Sequence, residues 1–152
     1  MPKAFYVKDK IANNIRLMKN ACDQKQITLK NNIADDVKVF ADEEQFKFVV
    51  RNLLSNAIKY TYHGGTIEMN AEQRSDEIVF SIKDNGIGMT KAQREHIFQP
   101  FITSQEGTNQ EKGNGIGLML CMEFISKNGG RIWAESEKDK GSTFYFSLKK
   151  AL

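Results

Sequence analysis

The sequence predicts an α/β sandwich in which a mixed β-sheet is covered on one face by three helices, at 7–25, 42–60 and 116–127. Three observations carry that prediction. Stretches of helical period and stretches of two-residue alternation share one chain, with no linker or repeat between them. Its 152 residues suit a single domain, 1–152, with a core of its own. Apolar residues at 40% and charged residues at 27% match globular usage rather than disorder.

Each element has a local reason. Val7, Ile11, Ile15, Leu17, Met18 and Ala21 recur at mostly three- and four-residue intervals, an amphipathic helix over 7–25. Ile27–Leu29 and Val37–Phe40 alternate briefly and predict short strands. Asp42, with Gln45 three residues on, suits a capping box for a helix that runs to about Tyr60. His63-Gly64-Gly65 then marks a turn. Thr66–Ala71 and Glu77–Lys83 alternate across the polar link Gln73–Asp76, a hairpin pattern. A short helix at 91–98 stops at Pro100. Residues 102–115 hold almost nothing apolar, and a polar stretch of that length inside a compact domain is expected to be functional or mobile. The helix at 116–127 closes at Asn128-Gly129-Gly130, and Arg131–Glu135 and Ser142–Leu148 form a last strand pair. Trp133, Phe144 and Phe146 are assigned to the core. Cys22 and Cys121 have no metal-type spacing and are expected to be buried, inert thiols in a reducing cytosol.

Charge narrows the function classes. The chain is +3 overall, yet residues 1–30 hold seven Lys/Arg against two acids and the remainder holds 15 against 17. The basic balance therefore belongs to the N-terminal segment, read as a solvated helix. A nucleic-acid partner would need a basic stripe with interleaved aromatics, and none is found. No apolar run approaches the roughly 18–20 residues that cross a bilayer, and Met1–Ala4 does not open a signal peptide. The fragment is thus expected to touch neither nucleic acid nor membrane; as an isolated domain it is expected to be a monomer.

Chemistry concentrates in three segments. On the helix carrying Arg51–Thr61, Asn52, Asn56 and Lys59 fall within about 60° of one another. Amide oxygens ligate hard cations such as Mg²⁺, and an ammonium neutralises phosphate. A plain solvated face is the alternative for this row, although two asparagines mid-helix need a reason. Asp84-Asn85-Gly86-Ile87-Gly88-Met89 directly follows a strand. Its glycines permit a sharp turn and close approach to a ligand, and its carboxylate can accept from an exocyclic amine such as that of adenine. Gly113-Asn114-Gly115-Ile116-Gly117-Leu118 opens a helix, where backbone N–H groups suit phosphate. It matches neither a Walker A loop nor a dinucleotide fingerprint.

Taken in order, these segments resemble the ATP-binding domain of bacterial sensor histidine kinases, within the wider family shared with DNA gyrase, heat-shock chaperone ATPases and mismatch-repair proteins. Asn52–Thr61 resembles the N box, Asp84–Met89 the G1 box, Ile97–Phe101 the F box, Gly113–Leu118 the G2 box, and Gly141–Phe144 the closing Gly-x-Thr-Phe segment. The resemblance spans nearly the whole chain and implies the Bergerat fold with a flexible ATP lid. It also implies roles. Asp84 would bind the adenine amine with Thr143 nearby, and Gly86, Gly88 and Met89 would shape the base pocket. Tyr60 would stack on the base. Asn56 with Asn52 would hold Mg²⁺, and Lys59 would contact phosphate. Gly113, Gly115 and Gly117, with Leu118, would let the lid close, anchored by Phe98 and Phe101. The pattern departs from many relatives after the F box, where Ile102–Gln105 carries no Arg or Lys; Lys112 is the basic residue nearest in kind.

One position separates kinase from ATPase. The ATPase branches carry a Glu four residues before the metal-binding Asn, and here that place is Asn52. An amide has no basic lone pair with which to activate water, whereas a histidine acceptor brings its own nucleophile. The resemblance therefore implies transfer of the γ-phosphoryl group of ATP to a histidine. Neither His63 nor His96 sits in an acceptor motif. The acceptor is expected on a separate dimerisation domain, with residues 1–20 as the stub leading to it and a response regulator engaged through it. A nucleotide-binding module without phosphotransfer is the alternative. The parent protein would act in the cytoplasm, with anchoring in the inner membrane left open.

Overall fold

The computed structural model describes residues 1–99 and 116–152. In chain order the elements are β1 (Pro2–Tyr6), α1 (Lys8–Gln24), β2 (Thr28–Asn31), β3 (Lys38–Asp42), α2 (Glu43–Tyr60), β4 (Thr66–Gln73), β5 (Glu77–Asp84), α3 (Lys91–His96), α4 (Gly117–Lys127), β6 (Ile132–Glu137) and β7 (Gly141–Lys150). The sheet runs β1-β3-β7-β5-β4-β2, with β6 also paired to β7. It is mixed because β2 lies parallel to β4 while the other pairs are antiparallel. β7 pairs with β5 along one edge. It divides the other between β6, at Gly141–Phe146, and β3, at Lys149–Lys150.

α2 is the middle helix of the layer covering this sheet, in contact with α1 on one flank and α4 on the other. Phe46, Val49, Val50, Leu53, Leu54, Ala57 and Ile58 form its buried row. The Phe46 ring sits edge-on to Phe5, Phe80 and Phe146 at centroid distances of 5.6, 5.6 and 6.2 Å, which fixes the helix on the sheet. The N-terminus of α2 is capped as its sequence predicts, with Asp42 Oδ1 accepting from Gln45 N at 2.9 Å. The reciprocal half of the box goes elsewhere. The Gln45 side chain accepts from Asn128 Nδ2, and the Asp42 N–H donates to Asn128 Oδ1. The C-cap residue of α4 thus completes the start of α2.

Several details correct the sequence expectations. Pro2–Tyr6 forms an edge strand that the sequence pattern does not announce; five residues opening on proline give too little alternation. Leu17, placed in the apolar stripe of α1, is solvent-exposed because its neighbour Met18 takes the inward position. Trp133 is half-buried outside the core cluster, stacked on Tyr145 at 5.1 Å with the Arg131 guanidinium 4.6 Å from its ring. Phe146 is buried in the core, and Phe144 packs at its margin. The basic N-terminal segment is solvated with one exception: Lys25 is only 3% exposed. Both thiols are buried, and burial pushes that of Cys121 up to about 12, which keeps it protonated and inert.

Truncation should separate the two kinds of apolar residue. Phe46→Ala is expected to cost about 3–5 kcal/mol, the range for deleting a buried aromatic, whereas Leu17→Ala should stay within about 0.5 kcal/mol of wild type. Urea unfolding monitored by circular dichroism checks both, and equal losses would show that α2 is not the anchor of the core.

Candidate functional site

The polar row of α2 survives folding. Asn52, Asn56 and Lys59 are all half-buried, on the flank of the helix away from its core row. Asn52 Nδ2 donates to Phe48 O at 3.2 Å, which occupies the amide nitrogen and directs Oδ1 outward. That oxygen faces the start of α4: a Cβ placed on Gly117 would lie 2.4 Å from it. A side chain at position 117 would thus have to displace the Asn52 amide. Ile116, the N-cap residue of α4, provides no side-chain cap. The partial positive charge of this helix end therefore abuts the Asn52 oxygen. A cleft of about 360 Å³ opens beside the pair, between Met18 of α1, Phe48, Arg51, Asn52 and Ser55 of α2, and Ile116, Gly117 and Leu120. At the far end of α2, the Lys59 ammonium lies 5.0 Å from the Tyr60 ring centroid.

Asp84 ends β5 and is 5% exposed. Its Oδ1 accepts from Gly86 N at 2.9 Å and from Ser142 N at 3.3 Å. Burial pushes the carboxyl up to about 6, and the two backbone donors offset only part of that. The following loop is stitched to its surroundings. Ile87 N donates to Tyr60 O at 3.0 Å, and Asp139 N donates to Ile87 O at 2.7 Å. Met89 N donates to Ser136 Oγ, which lies 2.7 Å from Ser142 Oγ. Gly86 and Gly88 have a reason the sequence did not supply. A Cβ on Gly86 would lie 2.0 Å from Tyr60 O, and one on Gly88, where φ is +65°, would lie 2.0 Å from Glu137 O. The close approach is to the protein's own backbone.

The sequence-predicted residues fall into local groups, of which the Asn52–Gly117 pair lines the cleft. Asn52 meets Gly117, Lys59 meets Tyr60, and Asp84 shares its loop with Gly86, Gly88 and the half-buried Met89. Leu118 packs against the core, and Phe98 sits edge-on to Phe144 at 6.3 Å. Thr143 does not join Asp84. Strand side chains alternate, and Thr143 stands opposite Lys83 and Glu135, on the face where Tyr145 donates to Glu135. Ser142, one residue earlier and buried, takes the place beside the carboxyl. Ser142 and Ser136 are the site residues that sequence reasoning missed; strand parity counted from Asp84 would have selected position 142. Gly113, Gly115, Phe101 and Lys112 lie outside the described residues. His63 and His96 are both exposed.

The raised Asp84 carboxyl sets the sign of a stability effect. Between 3.8 and about 6 the folded chain holds a proton that the unfolded chain has released. Stability from this group is therefore present near pH 4 and lost as pH rises through about 6. Asp84→Asn keeps an acceptor oxygen for both N–H donors without the charge. It should be more stable than wild type at about pH 7 by on the order of 2–3 kcal/mol, with the gain vanishing near pH 4. Thermal unfolding of both proteins across this range is the check, and a pH-independent difference would contradict the burial of a charged carboxylate.

With the geometry established, the chain can be set beside known proteins. The family model described as "Histidine kinase-, DNA gyrase B-, and HSP90-like ATPase" matches residues 41–152. The adaptive-response sensory kinase SasA of Microcystis aeruginosa is 35% identical over 146 residues, covering 95% of this chain and 38% of that protein. SasA of Synechocystis sp. is 41% identical over 127 residues, covering 82% and 33%. The chain thus spans well under half the length of these curated relatives. Among solved structures, the catalytic domain of the histidine kinase ThkA superposes with a TM-score of 0.86 at 28% identity, covering 99% of this chain and 96% of that one. ThkA in complex with the response regulator protein TrrA matches with a TM-score of 0.82 at 26% identity, over 99% and 42%. The mixed sheet with its helical layer is the fold of histidine kinase catalytic domains, and the chain belongs to the histidine kinase, DNA gyrase B and HSP90-like ATPase family.

Proposed function

We propose that this chain is the ATP-binding catalytic domain of a sensor histidine kinase, which binds ATP with Mg²⁺ and donates the γ-phosphoryl group to a histidine on a separate dimerisation domain. The observation that carries the proposal is the placement of two unlike recognition groups around the polar row of α2. The Asn52 oxygen faces, near the middle of α2, the N-terminus of α4, whose cap residue Ile116 provides no side-chain cap. A buried carboxylate lies past the C-terminus of α2, joined to it by the Ile87–Tyr60 hydrogen bond. The first pair suits a cation and phosphates, and the second suits an amine on an adenine edge.

The donor chemistry fits the group. Neutral amide oxygens of Asn52 and Asn56 would hold Mg²⁺, which when bound neutralises phosphate charge and orients the triphosphate. The Lys59 ammonium would meet phosphate oxygens, and Asp84 would accept from the exocyclic amine with the Ser142 hydroxyl beside it. Tyr60 would lie against the base. Asn52 cannot take a proton from water at neutral pH, so the site positions and stabilises charge while the acceptor imidazole provides the nucleophile. By likeness to ThkA, a response regulator is the partner downstream. No helix among the described residues is long and apolar enough to cross a membrane. Working from the cytoplasmic ATP pool is part of the proposal because ATP is the phosphoryl donor it assigns.

Incubation with γ-labelled ATP, Mg²⁺ and the dimerisation domain of the same parent protein should yield label that is acid-labile and base-stable, as expected of phosphohistidine. Asp84→Asn should weaken ATP binding at least tenfold by calorimetry, even though it stabilises the fold. Nucleotide binding without label transfer would favour a sensing module, and steady phosphate release by the isolated domain would favour an ATPase.

A further inference from the structure

Lys25 is the one lysine of the basic N-terminal segment that folding buries. Its ammonium reaches into the C-terminus of α2. It donates to Ile58 O at 2.8 Å, Lys59 O at 3.0 Å and Thr61 O at 3.3 Å. An ammonium has three N–H donors, and three carbonyls receive them. The fourth carbonyl in that run, Tyr60 O, accepts from Ile87 N. Carbonyls 58–61 are thus met by a lysine from the α1–β2 turn and by the loop after Asp84.

Helices commonly end on a left-handed glycine whose backbone satisfies the last carbonyls. α2 does not: its C-cap Thr61 is extended, at φ −92° and ψ 140°. The negative end of the helix dipole is buried here and needs positive charge. The turn that delivers Lys25 is itself shaped for the purpose. Gln26 stands in the left-handed region at φ 55°, Ile27 N returns to Cys22 O, and Gly64 N donates to Lys25 O at 2.8 Å. A left-handed non-glycine residue has a conformational cost that surrounding contacts must offset.

We infer that Lys25 is a positioning residue for nucleotide binding, setting the last turn of α2 so that Lys59 and Tyr60 face the site in register with the Asp84 loop. The inference rests on the proposed function, because Lys59 and Tyr60 matter only if that site takes ATP. Lys25 touches no nucleotide; it acts through the backbone that carries Lys59 and Tyr60. A role confined to stability would lower the folded fraction and leave the affinity of folded molecules unchanged.

A double-mutant cycle distinguishes the two. ATP–Mg²⁺ affinity is measured by calorimetry for wild type, Lys25→Met, Lys59→Ala and the double variant, at a temperature where each is folded. Lys25→Met should weaken binding about tenfold alone and by less than about threefold in the Lys59→Ala background, because residues that act as a unit are non-additive. Lys25→Arg, which keeps donors and charge, should restore most of the affinity. Lys25→Gln is carried alongside, so that the cycle closes if Lys25→Met does not fold. Additive losses, unchanged affinity, or failure of both neutral variants to fold would each overturn the positioning role. Absence of ATP binding by folded wild type would instead overturn the functional proposal on which it stands.

Discussion

A single helix has to satisfy two surfaces, and the rest of the molecule is arranged around that constraint. α2 offers seven buried residues to the core and, rotated from them, Asn52, Asn56 and Lys59 to the site. Because both sets ride on one rigid cylinder at 100° per residue, the packing that fixes one fixes the other. Phe46, caged by rings from β1, β5 and β7, sets the rotation of the helix. The Asn128 amide holds its start, and the Lys25 ammonium holds its end. Slippage at either end would carry the amides and ammonium out of line.

The Asp84 loop meets a different requirement. A carboxylate that is to recognise one amine cannot be left freely hydrated, because water competes for its lone pairs. Burial removes the water but disfavours the charge, and Gly86 N and Ser142 N restore only part of the difference. Under the proposed function, the residual cost is stability given up for recognition, a trade found at many functional sites. Backbone contacts compensate around it. The loop is bonded to the end of α2 and to the β6–β7 turn, so the strained carboxylate sits within a stiff frame.

The two halves of the proposed site also use different physics. Around Asn52 the elements are an amide oxygen, a helix N-terminus and an open cleft, which suit a large, hydrated and highly charged group. Around Asp84 the elements are a nearly buried carboxyl and two serine hydroxyls in contact, which suit a flat base reading out few hydrogen bonds. A nucleotide triphosphate has this polarity.

The sequence by itself determined the elements and their order wherever a period or a cap was strong: the three helices, the hairpin after Thr66 and the cap at Asp42. It also marked Asn52, Asn56, Lys59 and Asp84, because amides in mid-helix and an acid between a strand and glycines are unusual on local grounds. Only the tertiary structure decided features that depend on contacts across many residues. Pro2–Tyr6 becomes a strand because β3 lies beside it. Ser142 rather than Thr143 reaches Asp84 because pairing with β5 sets which face each residue takes. Gly86 and Gly88 are required by backbones more than twenty residues away, which no local pattern displays. Lys25 reads locally as one more solvated charge. Its burial follows from the helix end that folding brings to it, whose terminal carbonyls accept from the enclosed ammonium.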